Sequence, residues 1–119
     1  MRSKIKKITI DIADTPDLLA RGLMGVKTLP EDHGMLFKFP SMLQPSFWGK
    51  NTYIPLDIAF IRDGRIVDIR QISPMSTRSI ASNDICSMAI ETNAGFFKKN
   101  NIDVGNEVEI KDKEVFFAC

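Results

Sequence analysis

The chain has 119 residues, 44% of them hydrophobic and 26% charged, with a net charge of +1. That composition excludes a disordered chain, and the length suits a single domain over residues 1–119 whose core needs no staple. The balanced charge supplies no field to draw the protein onto nucleic acid, and no apolar run reaches the ~18 residues of a membrane span.

The first basic residues are Arg2, Lys4, Lys6 and Lys7, a pattern that guards an edge strand. Ile5 to Ile12 alternates, with Ile8, Ile10 and Ile12 on one face, and predicts the first strand. It is not the continuous apolar stretch of a signal peptide. As read, the chain stays in the cytoplasm, and a trimmed precursor of an exported protein would read the same way. Thr15-Pro16-Asp17 then opens a short helix: a capping hydroxyl, a ring suited to the first helical position and a carboxylate for the positive end. The helix runs to about Arg21, and Gly22 lies near its end.

Leu29 to Gly34 reads as a loop that holds the single His33 as a solvated residue. Met35 to Phe39 predicts a strand with Met35, Phe37 and Phe39 facing inward, ended by Pro40. Asp63-Gly64 between two alternating runs is a strong hairpin signal. A two-residue loop sets Arg62 opposite Arg65, Phe60 opposite Val67 and Asp57 opposite Arg70. Ile58, Phe60, Val67 and Ile69 then form the core face. Ser87 to Glu91 is a strand. Thr92 or Asn93 caps a second short helix, Ala94 to Asn100, with Lys98 and Lys99 in its last turn. Glu107 to Lys111 and Glu114 to Phe117 close the chain as a hairpin. Many short strands with two small helices predict a mainly β (α+β) fold: an antiparallel β-sandwich or partly closed barrel.

Chemical motifs are scarce. The chain carries no Gly-rich phosphate loop, HExxH or GxSxG, so no cofactor is implied. Cys86 and Cys119 have no zinc spacing and read as free thiols, with one disulfide between them the alternative, and one His leaves no multi-His metal site. The six methionines are spread along the chain as core filler. The densest segment is Pro45 to Asp57. It holds the single Trp48 and single Tyr53 with Lys50, Asn51 and Asp57 between prolines. An aromatic wall with a few oriented polar groups is how a small-molecule pocket is built. Lys50 can attract an anion, and Asn51 can donate and accept. Asp57 becomes a base if burial raises its pKa, whereas pairing with Arg70 would lower it.

Several runs then occur together in order: Arg21-Gly22-Leu23-Met24, Leu29-Pro30-Glu31-Asp32-His33-Gly34-Met35-Leu36-Phe37, Phe47-Trp48-Gly49-Lys50-Asn51-Thr52, Ile54-Pro55-Leu56-Asp57 and Glu91-Thr92-Asn93-Ala94-Gly95. Over nearly the whole chain the sequence resembles domain-of-unknown-function family 192, also called uncharacterised protein family 0127. The resemblance implies a compact, mainly β fold and no established activity. It also implies Met where this chain has Gly49, which suggests a larger or more flexible pocket here. Many relatives carry an export signal or anchor, and a cysteine pair in the region that here runs from Pro74 to Asp84 without one.

The favoured reading is a small-molecule or peptide binding module lined by Trp48, Lys50 and Asn51 with Arg21, Asp57 and Glu91. Two alternatives stand beside it: an accessory protein acting through a surface, and a small enzyme using Asp57 or Glu91 for proton transfer with Lys50.

Overall fold

Residues 4–119 are described by a computed structural model. The isoleucine alternation near the start forms β1 (Ile5–Ala13), burying Ile8 and Ile10. Thr15 Oγ1 accepts from Leu18 N, and Pro16 opens α1 (Pro16–Arg21) as expected. Then follow β2 (His33–Leu43), β3 (Ser46–Phe47), β4 (Leu56–Arg62), β5 (Arg65–Ile72), β6 (Ile80–Ala81) and β7 (Cys86–Asn93). The chain ends with α2 (Phe96–Lys99), β8 (Val108–Lys111) and β9 (Glu114–Ala118). Seven strands form one sheet in the order β5-β4-β7-β2-β1-β9-β8, and β3 pairs with β6 in a separate ribbon. All pairs are antiparallel except β1 with β2.

The sheet curls until its two edges meet at one end. Ile66 N donates to Asn106 O, Gly105 N to Ile66 O and Val108 N to Gly64 O. The fold is therefore the mainly β, partly closed barrel with two short helices that the sequence predicts. Every strand of the large sheet contributes to the core cluster on its concave side, which includes Ile10, Leu36, Ile90, Phe97 and Phe117. A second cluster, with Phe37, Ile58, Phe60 and Ala89, lies on the opposite face and is joined by Leu19, Phe39 and Phe47. Among the described residues no helix is long and apolar enough to cross a membrane.

Four expectations are corrected. β1 is not an edge strand: it is hydrogen-bonded to β2 and β9, and Lys6 and Lys7 instead pair with Asp32 at 2.9 Å and Glu114 at 3.1 Å. Arg2 lies outside the described residues. Pro40 does not end β2. It falls where the pairing with β7 is interrupted between Lys38 and Leu43, so its missing N–H removes no ladder bond. The second helix starts later, at Phe96, with Gly95 at φ 88° before it and no side-chain cap of its own, because Thr92 and Asn93 still belong to β7.

The fourth correction concerns the central hairpin. Its turn is as read, with Asp63 and Gly64 both at positive φ. Arg62 does face Arg65, but Phe60 faces Asp68 and Asp57 faces Gln71. Val67 is one residue too many, a β-bulge that shifts everything beyond it by one position. The Asp57–Arg70 pair does not form, and Arg70 instead lies 4.0 Å from Asp68. β4 is buried on both faces rather than one.

Candidate functional site

A cleft of about 880 Å³ opens on the outer face of the sheet. One side is α1 and the turn after it, and the other is β3 with the loop from Trp48 to Thr52. Phe37 and Phe39 stand two apart on β2, so strand alternation aims both at this face. Phe47 packs edge-on to Phe37, with centroids 5.1 Å apart, and lies 6.2 Å from Phe39 and 5.9 Å from Phe60. These rings make an apolar wall.

Glu91 lines the cleft from β7, paired with Met35 of β2 and Ile58 of β4. It shares its face with Ala89, deep in the second core cluster. Its exposure is 4%. No hydrogen bond or ion pair compensates the carboxyl among the described residues, and burial alone pushes its pKa from the ordinary 4.5 up to about 8. At neutral pH it is mostly a protonated acid that can donate a hydrogen bond. Gly22 lies directly above it, at φ 51° and ψ −130°. A Cβ there would be 3.8 Å from Glu91 Oε1 and 3.3 Å from Phe37 Cζ. Glycine both permits this backbone conformation and leaves the floor open.

The structure brings five of the six sequence-derived residues to this cleft: Arg21, Trp48, Lys50, Asn51 and Glu91. Arg21 is the last residue of α1. Trp48 is 44% exposed, and Lys50 Nζ lies 5.1 Å from its ring centroid, a cation–π contact. Asn51 adopts a left-handed φ of 57°, and its carbonyl accepts from Gly25 N at 2.9 Å. That bond ties the two sides of the cleft together. Thr52 braces the same loop, its N–H donating to Gly49 O and its carbonyl accepting from Met75 N, both at 3.0 Å.

Asp57 is placed elsewhere. Neighbouring strand positions point to opposite faces, so Asp57 projects to the α2 side while Ile58 faces the Glu91 side. Its Oδ2 accepts from Gly95 N at 3.0 Å, capping the start of α2 from another strand, and Oδ1 has no partner among the described residues. Burial raises its pKa, partly offset by the N–H groups of Gly95 and Phe97. It lines a separate cavity of about 790 Å³ with Arg70, Gln71 and Phe97. Asp57→Ala is expected to lower stability by about 1 kcal/mol through the lost cap, and Asp57→Asn by less. Urea midpoints check this, and equal losses for the two would contradict the capping role.

Gly49 does not enlarge the cleft. A Cβ there would meet Ser73 O at 1.9 Å, on the side of the β5–β6 connection. The position is glycine because another backbone crosses it. Phe37 and Phe39 belong to the core as expected and Gly22 ends α1 as expected, but all three also line the cleft, which the sequence does not show. The i, i+2 spacing of the two phenylalanines was the available signal, but it does not distinguish a core from a cleft wall.

The chain matches the model of family DUF192, "Uncharacterized ACR, COG1430", over residues 1–110. No curated protein matches it. A crystal structure of a protein of unknown function from Novosphingobium aromaticivorans DSM 12444 is similar, with 30% identity and a TM-score of 0.82, over 85% of this chain and 74% of that one. Another, named "putative transcription regulator", from Sinorhizobium meliloti 1021, has 30% identity and a TM-score of 0.80, over 98% of this chain and 92% of that one. The ordered motifs, the curled sheet and the family match agree: this chain belongs to DUF192, a family of uncharacterised function.

Proposed function

We propose that the protein is a binding module for a small molecule held in the cleft above Glu91. One observation carries this reading: Glu91, a largely buried residue whose carboxyl has no hydrogen bond or ion pair among the described residues, lies at the floor of an open, aromatic-walled cleft. A polar group that is poorly hydrated and has no protein partner sacrifices part of the roughly 1–3 kcal/mol that a fully unsatisfied buried group costs. A ligand that supplies the partner recovers that cost, and the rings give its apolar part a surface.

The test uses Trp48, the single tryptophan, as reporter. Titrating the protein with a broad metabolite panel should give saturable changes in its fluorescence for at least one compound. A ligand at about 100 times its Kd should add ~2.7 kcal/mol of stability, on the order of 8 °C in melting temperature. Unchanged fluorescence and melting across the panel, with Trp48→Ala leaving cellular function intact, would remove the reading.

A second reading rests on the same carboxyl. A Glu that titrates near neutrality is matched to proton transfer, and Lys50 shares its cleft. Conversion of a bound compound by the wild type and not by Glu91→Gln would favour it. Binding without turnover favours the module.

A further inference from the structure

We infer that the ligand of this cleft is an organic anion: an apolar ring or acyl body bearing one carboxylate, sulfonate or phosphate head. This rests on the small-molecule reading and specifies its chemistry. The first observation is that two cations without carboxylate partners among the described residues line one apolar-walled cleft; other unpaired cations, such as Lys27, Lys38 and Lys111, do not line it. Lys6, Lys7, Arg62, Arg65, Arg70 and Lys99 each lie within ion-pair distance of an acid. Arg21 and Lys50, the two cations lining the cleft, are in no ion pair among the described residues. Asp17 is the one other charged residue of the lining. It lies in the first turn of α1, where it complements the helix dipole.

The second observation is the floor. The residues flanking Glu91 across the strands, Met35 and Ile58, are apolar, and Gly22 above it brings no side chain. The charged groups that reach the cleft are Asp17 and Arg21 from α1 and Lys50 from the β3–β4 loop, while β2 and β3 bring uncharged Phe37, Phe39, Ser46 and Phe47. A protonated Glu91 does not repel an anion and can donate to one of its acceptor oxygens. An ionised Glu91 would repel it in a medium of low dielectric. Head at the Arg21–Lys50 rim, body on the rings and acceptor toward Glu91 is the pose that satisfies all three.

Two probes with one ring system separate the ideas: 1-anilinonaphthalene-8-sulfonate, and N-phenyl-1-naphthylamine, which lacks the sulfonate. Energy transfer from Trp48 reports each on the full chain. At about pH 6.5 the sulfonate should bind about tenfold more tightly than the neutral probe. Arg21→Gln and Lys50→Gln, both at exposed positions, should each weaken the sulfonate roughly three- to tenfold more than they weaken the neutral probe. Raising the pH to about 8.5 should weaken the sulfonate several-fold in the wild type and not in Glu91→Gln. Equal binding of both probes, indifferent to the two cation variants, would overturn the anion inference and leave the small-molecule reading standing. Failure of both probes to take up energy from Trp48 would count against both.

Discussion

Glu91→Gln should make the protein more stable at neutral and alkaline pH. In the unfolded chain Glu91 ionises near 4.5, while in the folded one it keeps its proton to about 8. Between those values the folded state binds more protons, so the wild type loses stability as pH rises, at up to about 1.4 kcal/mol per unit. The loss reaches about 3 kcal/mol at pH 7 and about 5 kcal/mol above pH 8. Below pH 4.5 it vanishes. The amide keeps the size and neutrality of the protonated acid, so the variant should match the wild type at acidic pH. It should exceed it by on the order of 10 °C in melting temperature near pH 7. The difference between the two curves removes the contribution of every other titrating group. Parallel curves from pH 4.5 to 8 would mean that Glu91 is hydrated or paired. A stabilising substitution at a cleft floor is what a site that trades stability for binding should give.

Gly49→Ala should act in the other direction. The added methyl would stand 1.9 Å from Ser73 O, and its obstacle is a backbone rather than a side chain that can swing away. The Gly49 N–H already donates to Ser76 O at 2.9 Å, so the connection cannot retreat without breaking that bond. Overpacking of this kind costs about 3 kcal/mol, on the order of 10 °C in melting temperature for a chain of this size. Because the same loop carries Trp48, Lys50 and Asn51, Trp48 fluorescence should shift as well. An unperturbed melting temperature would show that the Ser73 carbonyl does not block a side chain at position 49.

Much of this architecture is legible in the residues, and the failures have specific causes. Thr15, Pro16 and Gly22 mark both ends of α1 because capping chemistry is local. Asp63-Gly64 sets its turn for the same reason. The bulge at Val67 leaves no local mark, since one extra residue in an alternating run still looks like an alternating run. It nevertheless changes the partner of Asp57 from Arg70 to Gln71. The interior position of β1 is equally invisible, because pairing with β2 and β9 depends on segments far along the chain. At the site, the aromatic and polar run around Trp48 identifies one side of the cleft. Asp57 belongs to that run by sequence but not by space, and strand alternation sends it through the sheet to cap α2. Glu91 is a candidate site residue by sequence, but nothing local to its strand shows that it will be buried. Its importance comes from burial without a partner, which only the packed structure creates.

That packed carboxyl is the centre of the account, and ¹³C NMR of the Glu91 side chain through a pH titration of the ligand-free protein tests it most directly. A midpoint near 8 is the predicted result. A midpoint near the ordinary 4.5 would contradict it, since the group would then be solvated or compensated and the cleft would have no unmet demand at its floor.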